Sequence, residues 1–177
     1  PPRFPFTGIF GTRGSGDPLL ARELDGRAVV VVGAAPYVYV GAIGPDGEVE
    51  LASPVLERAG CPRATLSGTY GRASATFELE HVTCNARGEL VQSTLRGGFA
   101  RDFEPAVSGV YEGQASQILD PSGCAAGLPP SRPLRWGLGV LPDGRALLMT
   151  LEGPIEEPFV YFGRLSGGGL ALLAPAV

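Results

Sequence analysis

The chain holds one histidine, so any serine or cysteine nucleophile that needs an imidazole base would have to use His81. His81 sits in the stretch FELEH, where Phe77, Leu79 and His81 fall on one face of an extended segment and Glu78 and Glu80 on the other. A histidine in that alternation reads as a core or cross-strand group, and no G-x-S-x-G elbow accompanies it. Glu78 and Glu80 project about 7 Å apart along a strand. That spacing could serve a carboxylate pair or a calcium ion, but solvated strand glutamates are the plainer reading. Glu156 and Glu157 are adjacent, so in extended chain they point opposite ways and cannot work together on a glycosidic bond. GTRGSGDP (11–18) is glycine-rich, yet a phosphate-cradling P-loop needs a lysine and the chain has none; the order of glycines also fails the dinucleotide fingerprint. No catalytic, cofactor-binding or metal-binding residue is assigned, and no cofactor is expected.

Cysteine chemistry points to a staple. Cys61, Cys84 and Cys124 include no C-x-x-C pair, and with one histidine they match no zinc pattern. Cys61 and Cys84 bracket a plausible pair of strands and are the disulfide candidates. Cys124 is then left as a buried thiol or as a link to a partner chain.

Bulk composition narrows the class. Hydrophobic residues make up 44% of the 177 and charged residues 18%, with 27 glycines and 17 prolines placed between apolar runs as turns. The length suits a single β domain over 1–177, preceded by a Pro-rich arm at 1–6. A net charge of −4 argues against a nucleic-acid partner, which would need a basic stripe. All 14 basic residues are arginine, which fits either a GC-rich genome or a durable extracellular surface. The longest uncharged run, Ala28 to Gly44, is broken by Gly33, Pro36 and Gly41, so it reads as two buried strands rather than a membrane helix. A start at PPRFPF, without an initiator Met, is the start expected of a processed export product or a trimmed chain.

The elements that position these residues are strands. Residues 25–52, DGRAVVVVGAAPYVYVGAIGPDGEVELA, are nearly rewritten at 143–174, DGRALLMTLEGPIEEPFVYFGRLSGGGLALLA. Asp25-Gly26 between two apolar runs predicts a tight hairpin. Gly26 matches Gly144, Tyr39 matches Tyr161, Gly41 matches Gly163 and Gly47 matches Gly169. TGIFG (7–11), SGTYG (67–71) and SGVYEG (108–113) recur as strand starts. Helical turns are limited to one or two, at SPVLERAG (53–60) or DPLLAREL (17–24), with strand favoured for the latter. The proline-rich 120–133 stretch is not expected in a central strand. The expected fold is all-β: an antiparallel barrel or sandwich of about 11–13 strands, with two similar four-stranded meanders at about 19–52 and 134–174. The recurring strand starts are similar, over a few residues each, to those of small up-and-down barrels such as the avidin and lipocalin groups; no binding residue carries over and no family is assigned.

The functional expectation is a non-catalytic, exported structural or interaction subunit of a cell-envelope or extracellular assembly, in the periplasm, at the cell surface or secreted. Its partners would be other protein subunits, in a homo- or hetero-oligomer, without a transmembrane segment and with peripheral membrane attachment left open. Contact candidates are the arm (Phe4, Phe6), the 120–133 loop and the aromatics Tyr37, Tyr39, Trp136, Tyr161 and Phe162. The alternatives are a barrel holding a small apolar ligand and a hydrolase whose site is not visible in sequence.

Overall fold

A computed structural model describes residues 3–14, 18–33, 37–54, 60–116, 131–150 and 160–173. These form thirteen strands and no helix. Strands β1 (Gly8–Thr12), β2 (Leu19–Leu24), β3 (Arg27–Val32), β4 (Tyr37–Ile43), β5 (Glu48–Ala52), β6 (Thr65–Gly71), β7 (Thr76–Cys84) and β8 (Leu90–Arg101) close an eight-stranded antiparallel barrel. Closure runs through β1 and β8, from Ile9↔Arg101 to Thr12↔Gly97. Strands β9 (Gly109–Ser116), β10 (Ser131–Val140), β11 (Arg145–Thr150), β12 (Val160–Ser166) and β13 (Gly169–Leu173) form a second, antiparallel sheet in chain order, with β9 and β13 at its edges. Between barrel and sandwich, the first 101 residues therefore choose the barrel.

Local chemistry explains the hairpins. Asp25 and Gly26 take φ of 51° and 76°, the positive pair that a two-residue primed turn demands between Leu24 and Arg27. The stretch 17–24 is strand from Leu19 onward, as favoured. The 53–60 helical segment falls largely outside the described residues.

The two meanders match in register. Val30 lies between Ala21 and Tyr39, as Leu148 lies between Leu138 and Tyr161. A Cβ at Gly41 would overlap the Glu50 carbonyl, and one at Gly163 the Ala171 carbonyl, so the same close approach of neighbouring strands is built twice. Two expectations shift. Ile43 pairs Val49 across five loop residues, but Leu165 pairs Leu170 across four, so Gly47 corresponds to Gly168 rather than Gly169. Proline also enters a central strand: β10 begins at Ser131 and Pro133 pairs with Gln114.

Alternation sorts the side chains into layers. Inside the barrel, Phe10, Leu19, Val30, Tyr39, Leu66 and Leu79 are all fully buried. The outward faces of β3 and β4 (Val29, Val31, Val38, Val40) pack against Leu147, Met149 and Val160 of the second sheet. Those seven residues occupy equivalent outward positions in the two meanders, so the sheets meet back to back. The opposite face of the second sheet, corresponding to the barrel's interior, carries a smaller cluster around Leu138, Val140 and Ala146.

Candidate functional site

One end of the barrel is shut by the chain's own N-terminal arm. Phe6 is fully buried, with its ring centroid 4.7 Å from Tyr70, 5.2 Å from Phe10 and 6.5 Å from Phe77. The Phe6 N–H donates to Glu23 Oε2 at 2.7 Å, and Arg72 grips the same carboxylate through Nη1 at 3.0 Å and Nη2 at 2.8 Å. Arg72 Nη2 also donates to the Gly44 carbonyl, and the Tyr70 hydroxyl donates to Pro5 C=O at 3.0 Å. The hydrogen bond to Glu23 raises the Arg72 pKa, and burial raises that of the Tyr70 phenol. The arm is a contact candidate by sequence, for a neighbour's surface or a sheet edge. Phe6 docks in cis, because its ring finds three aromatic rings and its backbone N–H finds a carboxylate, while Phe4 stays exposed.

The chain's single histidine stands toward the other end of the barrel. His81 Nε2 and the Tyr39 hydroxyl share a 2.5 Å hydrogen bond, and the Tyr37 ring lies 6.4 Å from the imidazole. Tyr39 is wholly buried, so this is a core polar pair at a barrel end. Glu78 and Glu80 point outward, as the alternation predicts: Glu78 pairs with Arg96 at 2.6 Å, and Glu80 accepts from Gln92. Cys61 and Cys84 form a disulfide with Cα atoms 6.3 Å apart, tying the β5–β6 connection to the end of β7. Among the described residues no group of His, Cys, Asp and Glu is arranged to hold a metal. No helix among them is long and apolar enough to cross a membrane.

The contact candidates divide. Phe6 and Tyr39 are buried at 0% exposure, so both belong to the core and not to an exposed surface. Phe4 and Tyr37 are each 46% exposed. Trp136, Tyr161 and Phe162 are half-buried, Phe162 against the layer between the sheets. The 120–130 part of the loop, Cys124, Glu156 and Glu157 lie outside the described residues. The exposed apolar surface that pattern reading missed comprises Leu90, Val91 and Phe99 on β8, Val110 and Tyr111 on β9, and Leu170 on β13. These sit on strands with the same alternation as buried ones, and only the closing pattern of the sheets decides their fate. A half-open groove of about 100 Å³ lies between the sheets, lined by Leu20, Val31, Arg145, Leu147 and Phe162 among others. Three guanidinium Nε atoms, those of Arg22, Arg72 and Arg135, are buried with no hydrogen-bond acceptor among the described residues, and burial lowers the Arg22 pKa.

No protein-family model, curated protein or solved structure matches this chain.

Proposed function

We propose that the chain is a non-catalytic, exported β module that works through protein contacts in a cell-envelope or extracellular assembly. The observation that carries this reading is the contrast between a filled barrel and exposed sheet edges. Side chains from all eight strands and the arm occupy the lumen, where a ligand-carrying barrel keeps a cavity. The groove between the sheets is well below the roughly 300–1,000 Å³ of a typical small-molecule pocket. Apolar side chains are displayed on β8, β9 and β13, and such patches serve as contact surfaces. The Cys61–Cys84 disulfide supports an oxidising compartment outside the cytoplasm.

Native mass measurement of the protein purified from its own cells tests the reading. The expected result is a mass above the 18.3 kDa of one chain, made up by protein, with the disulfide oxidised. A single chain carrying an extractable apolar molecule would sink the proposal.

A further inference from the structure

Among the described residues, the face of β9–β13 that corresponds to the barrel's interior is buried at its centre around Val140 and Ala146 and exposed at its two edge strands, and its register with the first meander shows the difference. Tyr111 matches Phe10, and Leu170 matches Val49; the barrel residues are 0% and 1% exposed, their counterparts 40% and 39%. Both exposed residues lie on the edge strands, where a closed barrel would continue. Strand β13 reads GLALL, without the charge or proline that natural edges use to block pairing.

We propose that two copies of the chain join through these open sheets, β9 against β9 and β13 against β13, closing a ten-stranded antiparallel barrel about a twofold axis. The inference rests on the contact-module reading and names its partner as a second copy. Strand direction allows it. In a five-stranded antiparallel meander the first and last strands run the same way. A twofold axis perpendicular to the strands reverses both, so both seams become antiparallel at once, and each is isologous. Charge allows it too. From Tyr111 on β9 and Trp136 on β10 through β13, the inner positions carry no ionisable side chain except Tyr111 and Tyr161; the register adds one cation to this face, Arg132, opposite Ala115 at the Ser131 end of β10. Arg135, Arg145 and Arg164 face outward on β10 to β12, away from the seams, while Glu112 lies on the seam strand β9 itself, facing outward beside Arg135 at 3.8 Å. Side-chain volume is the third argument. A ten-stranded lumen is wider than an eight-stranded one, and four inner positions of the second sheet are larger than their matches, while Tyr39/Tyr161, Gly41/Gly163 and Leu51/Leu172 are unchanged. Leu19 becomes Trp136, Ala21 becomes Leu138, Val30 becomes Leu148 and Val49 becomes Leu170. Glu23, whose carboxylate anchors the plug of the first barrel, becomes Val140, so no matching plug is needed.

Sedimentation equilibrium of the full, oxidised chain tests this. The expected mass is twice 18.3 kDa. Leu170→Arg places a guanidinium in a dry seam and should raise the dimer dissociation constant roughly 100-fold or more. The same substitution at Leu90, on the exposed face of β8, should leave the dimer intact. Should Leu170→Arg lose its fold, single cysteines at Gly169 or Ala171 in a Cys124→Ser background provide an independent reading. Oxidation should then yield a covalent dimer, whereas a cysteine at Ser93 on β8 should not. A monomer throughout, or a dimer broken by Leu90→Arg and not by Leu170→Arg, overturns the proposal. A monomer that purifies with a different protein overturns the dimer while the contact-module reading stands; a monomer holding a small apolar molecule overturns both.

Discussion

Phe10 and Tyr111 stand at matching places in two sheets, one after TG and the other after SG, yet they live in different surroundings. Phe10 touches four aromatic rings inside a closed barrel, at centroid distances of 5.2–6.0 Å. Tyr111 is 40% exposed and sends its hydroxyl to the nearby Val107 carbonyl. The barrel has what the second sheet lacks, namely β6 to β8 and an aromatic plug. Alternation along a strand thus determines which face turns inward. Whether there is an inside depends on how the sheet ends.

The comparison breaks most sharply at that pair. Phe10→Ala should cost about 4 kcal/mol in denaturant unfolding, since it empties the centre of the aromatic cluster. Tyr111→Ala, measured at dilution, should cost about 1 kcal/mol or less. Equal losses would show that the second sheet is closed in solution. If a second copy covers it, the Tyr111→Ala loss should grow with protein concentration, because association stabilises by mass action.

Glycine tests the same contrast on the backbone. Gly41→Val drives a side chain into the Glu50 carbonyl between two strands held on both sides, and about 3 kcal/mol of destabilisation is expected from overpacking. Gly163→Val meets the Ala171 carbonyl on β13, which is an edge strand of the single chain and, at dilution, has freedom to move away. About 1 kcal/mol is expected there, with faster amide exchange confined to β12 and β13.

The disulfide adds a third asymmetry. Cys61 and Cys84 are 23 residues apart, and replacing both with serine should remove about 3 kcal/mol by the loop-closure argument. The loss should appear in the protection of β5 to β8 and leave β10 and β11 nearly unchanged. Uniform loss across both sheets would mean that they unfold as one unit.

Much of this architecture is legible in the residues themselves. Asp25-Gly26, the FELEH alternation, the Cys61–Cys84 spacing and the paired Tyr39/Tyr161 and Gly41/Gly163 positions each carry a local cause, namely a positive φ, a period of two, a reachable span or a close strand contact. What is not legible depends on distant partners. Nothing in TGIFG announces that β1 will pair with β8, so barrel and sandwich stay equally good readings of the strand count. Phe4 and Phe6 look alike in sequence, and only the nest of Phe10, Tyr70 and Phe77 decides which is buried. Pro133 shows the same limit, since the place of β10 between β9 and β11 is set by pairing and not by its own residues. The exposed apolar residues are the least legible, because Leu90 and Leu170 lie in the same kind of alternation as the buried Leu66.

The smallest expected difference lies in the two Asp-Gly-Arg turns. Asp143 accepts from the Arg145 backbone N–H at 3.0 Å and from its guanidinium at 2.8 Å, all within one turn. Asp25 instead meets Arg135 of the second sheet at 3.0 Å. The backbone hydrogen bond, with help from the Arg145 charge, holds the Asp143 pKa below its usual 3.8. A lowered carboxyl pKa contributes stability above the unfolded value, lost as pH falls through the folded one. Asp143→Ala should therefore cost about 0.5 kcal/mol or less near neutrality, because the group is half exposed and screened, and nothing once both states are protonated well below pH 4. Asp25→Ala should cost no more in total. Its effect should fall across the two sheets, seen as amide shifts in both β2 and β10, whereas the Asp143 change stays within its own turn. If both variants perturb only their own hairpins, the Asp25–Arg135 pair does not couple the barrel to the open sheet, and the apolar layer of Val29, Val31, Leu147 and Met149 holds them together alone.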